Sequence, residues 1–198
     1  MLHPLRFALS FMDLNEAVDL LQDAVGTAPA AEWADLGAGE GTFTLALARL
    51  LGPGAHIIAV DRDRGSLRDL ERRSVADGSR DCITTVQADF TRKLDLPGVA
   101  AGTLDGLLLA NSLHYVRQPG EVLTELGRLL RPGGRVVFVE YDRRSPSPWV
   151  PYPIDADRLP EICSAANLSA PVRTATRPSD YGGDLYVAYA ALLPGRLA

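Results

Sequence analysis

The chain has 198 residues, of which 46% are hydrophobic and 23% charged, and 20 basic against 25 acidic side chains leave a net charge of −5. That size and balance describe one globular domain able to bury its own core, and they exclude whole-chain disorder and a generally basic nucleic-acid binder. Two cysteines, Cys82 and Cys163, are too few for a disulfide framework or a four-cysteine zinc site, and are expected as buried free thiols. In chain order, Asp13-Leu14-Asn15-Glu16 resembles a capping box, opening a helix to about Val25 with Leu14, Val18, Leu21 and Val25 at helical spacing. Gly26 to Ala30 reads as a linker, 32–37 as a strand ending on glycine, and 42–51 as a helix stopped by Gly52-Pro53-Gly54. The near-continuous apolar run 55–60 predicts a strand buried on both faces.

The alternation continues with a charged helix at 64–76, a strand at 82–88 and an apolar strand at 104–110. A helix is expected at 119–130, stopped by Pro132-Gly133-Gly134, then a strand from Arg135 to Tyr141. A proline-rich loop (145–153) and a helix near 156–167 follow. Strands at 171–177 and 184–193 flank the turn Asp180-Tyr181-Gly182-Gly183 and predict a closing hairpin. Five strand–helix alternations imply a parallel sheet covered on both faces, in one domain without repeats. Residues 1–30 are expected as a helical N-terminal segment and 31–198 as the core. The Phe7–Met12 stretch ends at Asp13 without a cleavage signal, and the uncharged runs near 106–116 and 185–195 are short of the ~20 residues that cross a bilayer, so a cytoplasmic protein is expected.

The basic residues are 19 Arg and the single Lys93. No Gly-Lys pair exists for a P-loop, the one lysine sits in a loop-like run, and a Tyr-x-x-x-Lys reductase pair would need tyrosine where Asp89 stands. The Arg-rich stretch 62–73 carries nearly as many acids and reads as a solvated face.

Four predicted strand ends carry chemistry, and strand carboxyl ends are where open α/β sheets bind ligands. The first is Asp35-Leu36-Gly37-Ala38-Gly39-Glu40-Gly41, a G-x-G-x-G bend whose missing side chains admit a ligand to the backbone and to a helix N-terminus. Asp35, inside the strand, needs a partner: a cationic ligand or local donors. The second is Asp61-Arg62-Asp63, with Asp61 placed to accept from ribose hydroxyls and Asp63 able to cap the next helix. The third is Asp89-Phe90, an acid and a ring suited to an adenine. The fourth is Asn111-Ser112-Leu113-His114-Tyr115, with His114 either a base or a structural histidine.

With Leu129-Leu130-Arg131-Pro132-Gly133-Gly134-Arg135, these segments make residues 30–193 resemble the class I S-adenosylmethionine-dependent methyltransferases of small bacterial type. The resemblance implies a three-layer αβα Rossmann-like fold, with a seven-stranded sheet of order 3-2-1-4-5-7-6 and strand 7 antiparallel. It implies S-adenosylmethionine as cofactor, bound by Asp35, Gly37, Ala38, Gly39, Gly41, Asp61, Arg62, Asp89, Phe90 and Asn111, and no metal. His114, Tyr115 and Glu140 are the candidate catalytic residues, with Tyr141 and Asp142 beside them and Trp149 and Tyr152 in the loop as possible caps on an acceptor. Trp33 departs from the smaller aliphatic residue usual at its place, and no Asn/Asp-Pro-Pro-Tyr segment for adenine methylation follows the fourth strand. The minimal decoration favours methyl transfer to a small-molecule acceptor, with no nucleic acid or membrane partner, by a monomer or homodimer. A methyltransferase acting on RNA or protein, and a non-catalytic S-adenosylmethionine-binding protein, are the alternatives.

Overall fold

The computed structural model describes residues 12–26, 30–179 and 182–195. The elements run α1 (Leu14–Val25), β1 (Glu32–Leu36), α2 (Thr42–Leu51), β2 (His56–Asp61), α3 (Arg64–Asp77), β3 (Ile83–Gln87), β4 (Leu104–Ala110), α4 (Pro119–Gly127), β5 (Leu130–Asp142), α5 (Leu159–Ala165), β6 (Val172–Pro178) and β7 (Asp184–Ala191). They form a seven-stranded sheet of order β3-β2-β1-β4-β5-β7-β6. The five strands from β3 to β5 pair in parallel, and β7 runs antiparallel between β5 and β6. This is the three-layer architecture expected from the sequence. The turn residues Asp180 and Tyr181, the Phe7–Phe11 stretch and linker residues 27–29 lie outside the described residues.

Alternation along each strand divides the core in two. Ala34, Leu36, Ile58, Val60, Leu107, Leu109, Val136 and Phe138 pack toward α4 and α5. Trp33, Ile57, Ala59, Leu108, Val137 and Val139 pack toward α1, α2 and α3. Because both faces are covered, the central strands read as unbroken apolar runs. The Trp33 ring lies over Gly106, its register partner on β4, where an added Cβ would come within 2.4 Å of the indole. A glycine on the neighbouring strand thus makes room for the aromatic.

The capping box of α1 is formed: Asp13 Oδ1 accepts from Glu16 N at 2.9 Å and Glu16 Oε2 accepts from Asp13 N at 3.1 Å. Its buried face is Ala17, Leu20, Leu21, Ala24 and Val25, so Leu14 and Val18 sit at the margin.

Several boundaries differ from expectation. Helix α4 ends at Gly127 and Leu130 already pairs with Leu104, so the Pro132-Gly133-Gly134 turn is a bulge inside β5 and does not stop the helix. Gly133 N donates to Leu192 O and Leu192 N to Gly134 O, which ties that bulge to the end of β7. As in the sequence reading, no α-helix lies between β3 and β4, so four of the five parallel strands are followed by an α-helix, one fewer than the five alternations expected. Helix α5 is shorter than 156–167, running from Leu159 to Ala165 with Pro160 in its first turn. Cys163 is buried as expected, but Cys82 is only partly so and its thiol donates to Ser79 O.

Candidate active site

Two cavities open at the carboxyl ends of the parallel strands, of about 390 and 380 Å³. Both are lined by Gly37 and Asn111, so they meet between the ends of β1 and β4.

The glycine bend forms the wall between β1 and α2. Gly37, Gly39 and Gly41 have φ of 85°, 54° and 86°. Gly37 N and Ala38 N both donate to Val60 O, at 2.8 and 3.0 Å. A Cβ on Gly37 would stand 2.5 Å from Ser112 Cβ, and one on Gly41 would stand 2.1 Å from Leu70 Cδ1. Gly39 has open space around it, so its requirement is conformational. Gly41 is the N-cap of α2 and gives it no side-chain cap, so first-turn amides face the bend.

Asp61 ends β2 and braces this bend. Its Oδ2 accepts from Gly39 N and its Oδ1 from Asp63 N, both at 2.8 Å. A carboxylate has about four acceptor positions, so capacity remains on the side that lines the smaller cavity. Asp63 caps α3 through Ser66 N at 2.9 Å, which leaves Asp61 free of that task.

Asp35 lies elsewhere. It is fully buried, lines neither cavity, and accepts from Thr44 Oγ1 at 2.6 Å. Burial pushes its pKa up to about 7, against the lowering effect of the Thr44 bond and with a further push from the Asp61 charge. A hydroxyl within α2 takes the place of the cationic ligand or backbone donors expected from the sequence.

Arg62, Asp89, Phe90 and Tyr115 join Asp61 around the smaller cavity. Asp89 Oδ1 accepts from Thr91 N and Thr91 Oγ1, and that hydroxyl bond is the main cause holding its carboxyl below the usual range. Asn111, just past β4, has φ 52° and carries a buried Oδ1 without a hydrogen-bond partner. A buried acceptor left unpaired costs about 1–3 kcal/mol. It sits where the two cavities meet.

His114 and Glu140 form a buried pair. His114 Nδ1 lies 2.7 Å from Glu140 Oε2, and His114 N donates to Glu140 Oε1 at 3.2 Å. Neither lines a cavity. The His114 ring packs 4.5 Å from that of Tyr115, which is 45% exposed and lines the smaller cavity, and 5.9 Å from that of Tyr141. Tyr141 lines the larger cavity, with the Arg144 guanidinium 4.5 Å over its ring. Asp142 faces inward and accepts from Ala156 N. Trp149 and Tyr152 are exposed and line neither cavity; Tyr152 N donates to His114 O at 3.0 Å.

The structure also gives a part in the site to three residues without one in the sequence reading: Arg73, read as part of a solvated face, Ser112, inside the fourth strand-end segment, and Arg177. Arg73 Nη1 donates to Glu40 O at 2.7 Å and reaches Thr42 Oγ1 at 3.1 Å, pinning the bend from α3. Ser112 Oγ donates to Leu36 O at 2.6 Å, locking the β4 end to the β1 end. Arg177 and Ser179 line the larger cavity from the end of β6. Among the described residues no group of three or more His, Cys, Asp or Glu is placed to hold a metal ion, and no helix is long and apolar enough to cross a membrane.

A doubly wound sheet with a bare-backbone bend after β1, a carboxylate at the end of β2 and an unpaired amide oxygen after β4 defines a nucleoside-binding enzyme of the class I S-adenosylmethionine-dependent methyltransferase type. Residues 34–138 match the family model described as a methyltransferase domain. The chain belongs to this family, and S-adenosylmethionine is the cofactor that goes with it. Among relatives, a demethylmenaquinone methyltransferase of Clavibacter sepedonicus is 39% identical over 107 residues, 54% of this chain and 40% of that protein. The chain thus spans less than half the length of that relative. Among solved structures, a 1,6-didemethyltoxoflavin-N1-methyltransferase of Burkholderia thailandensis, holding 1,6-didemethyltoxoflavin and S-adenosylhomocysteine, aligns with TM-score 0.69 at 25% identity over 91% of this chain and 78% of that one. A S-adenosylmethionine-dependent methyltransferase of Aquifex aeolicus aligns with TM-score 0.70 over 89% of both chains at 16% identity, a likeness of fold.

The residues present fit that cofactor. The open space at Gly39, where a Cβ would meet nothing, admits an extended chain against the backbone, and the orphaned Asn111 Oδ1 is an acceptor for an ammonium. Asp61 and Phe90 offer a carboxylate and an apolar ring around the second cavity.

Proposed function

We propose that this chain binds S-adenosylmethionine across the two cavities and directs its methyl group to a small organic acceptor held in the larger one. The observation that carries the reading is the buried, unpaired Oδ1 of Asn111, a residue that lines both cavities where they meet. Bound there, the cofactor supplies an electrophilic methyl group on a sulfonium.

The chain's own part is binding and orientation. Asp61 receives the ribose hydroxyls with the acceptor capacity left by its two backbone bonds. Phe90 packs beside the base, and the Asp89 carboxylate and nearby backbone give its edge polar partners. Asn111 and the uncapped first-turn amides of α2 hold the amino-acid end. Fixing both reactants can supply roughly 7–11 kcal/mol of the barrier. His114 and Glu140, sealed away from both cavities, act as positioning residues: they hold the segment bearing Tyr115 and Asn111 against β5. Support for a small acceptor comes from the relatives, which are methyltransferases of demethylmenaquinone and 1,6-didemethyltoxoflavin.

The test is transfer of a labelled methyl group from S-adenosylmethionine to a panel of small quinols, phenols and aromatic acids. Label in extractable small product is expected. Label found only in RNA or protein offered alongside would overturn the small-acceptor reading.

A further inference from the structure

The two walls of the larger cavity differ in chemistry. One is the glycine bend with the first turn of α2. The other is built by the ends of the last strands, where Tyr141, Arg177 and Leu185 line it. Arg177 and Leu185 are register partners on β6 and β7, so the guanidinium is anchored beside an apolar side chain that is itself buried.

Arg177 has a weak partner in the fold. Its Nη1 is 3.5 Å from Glu16 Oε2, the same oxygen that accepts from Asp13 N in the capping box. Both side chains are part-exposed, and such a pair contributes about 0–1 kcal/mol. Glu40, the other charged residue among those lining this cavity, belongs to the bend on the opposite wall. A planar guanidinium with five donors suits carboxylate or phosphate oxygens held two at a time. Met12 and Phe43 add apolar surface to the same cavity.

We propose that Arg177 is the specificity-determining residue for the acceptor, and that the acceptor carries an anionic oxygen group, carboxylate or phosphate, on an apolar body resting among Phe43, Leu185 and Met12. This rests on reading the cavity as the cofactor and acceptor site. The cofactor's own carboxylate has other donors, the amides of α2 that Gly41 leaves without a side-chain cap. Arg177, on the far wall, is left for the acceptor.

The test titrates naphthoate, naphthyl phosphate and naphthamide into the full chain saturated with S-adenosylhomocysteine. At least one anion should bind about tenfold or more tightly than the amide, and which one does so identifies the group. Arg177→Met should weaken the anion about ten- to a hundredfold, the size of a charged hydrogen bond, with Arg177→Lys intermediate and the amide unmoved. Glu16→Gln keeps the capping box and removes the competing charge, so it should tighten the anion by about two- to fivefold. Equal binding of anion and amide, or no binding of either, overturns the proposal while leaving the cofactor reading intact. An Arg177→Met variant that loses S-adenosylhomocysteine as strongly as the anion also overturns it, by assigning the guanidinium to the cofactor. A wild-type chain that binds no S-adenosylhomocysteine removes the underlying reading and the proposal together.

Discussion

The amide of Gly39 donates to Asp61 Oδ2 at 2.8 Å, so the end of β2 holds the middle of the bend that follows β1. The same carboxylate receives Asp63 N at the start of α3. One side chain therefore shapes the bend and lines the smaller cavity. Asp61→Ala should weaken S-adenosylhomocysteine about ten- to a hundredfold, from loss of a charge-assisted bond worth about 1.5–3 kcal/mol. Asp61→Asn should also bind worse than wild type, since its amide nitrogen must face a backbone N–H. Calorimetry with each variant checks both.

Gly41 and Gly39 separate packing from ligand access. At Gly41 an added methyl meets Leu70 in a fully buried contact, on a backbone with φ 86°. Gly41→Ala should cost about 2–4 kcal/mol from overpacking and left-handed strain. At about 2–4 °C per kcal/mol for a chain of this size, Tm should fall by roughly 5 °C or more. Gly39→Ala meets no neighbour and should lower Tm by less. Thermal denaturation orders the two.

Asp35 makes stability depend on pH in an uncommon direction. Its folded pKa of about 7 lies above the ordinary value of 3.8, so between those values the folded chain binds more protons than the unfolded one. Stability should therefore fall as pH rises from about 4 to 7 and level off above, a contribution on the order of 4 kcal/mol at its limit. Asp35→Asn removes the ionisation and should flatten this part of the profile. Urea denaturation across pH 4–8 measures it.

The His114–Glu140 pair should reveal itself in stability. Glu140→Ala leaves the His114 N–H and Nδ1 buried without their acceptor. A loss of about 3–5 kcal/mol is expected, as for a broken buried pair. Glu140→Gln keeps one acceptor oxygen and should cost less. Chemical denaturation of the two variants distinguishes a positioning pair from a purely catalytic one, whose loss would slow transfer and leave stability unchanged.

The order of strands and helices was legible because strands covered on both faces are apolar almost without interruption, as at Ile57–Val60 and Leu107–Ala110. The bend and Asp61 were legible because glycine with positive φ and a carboxylate after an apolar strand are local features. The end of α4 was not: Leu129 and Leu130 continue a helical spacing, and only pairing of Leu130 with Leu104 draws the chain into β5 early. Room for Trp33 depends on Gly106, 73 residues later, through a register no local pattern encodes. Arg73 and Arg177 reach the site from other segments and look like ordinary polar residues in their own stretches, and the bond from Ser112 to Leu36 O exists only once β4 lies beside β1. Asp35 was noticed for its cost, but its partner Thr44 emerges only when α2 folds back on β1.

The most direct measurement is calorimetric titration of S-adenosylhomocysteine into the wild-type chain and into Asn111→Gly, which removes the orphaned oxygen and keeps the left-handed backbone unstrained. Saturable one-to-one binding by the wild type, weakened about tenfold or more in the variant, is the predicted result. A folded wild type that takes up no ligand, or a variant that binds it equally well, would contradict the account.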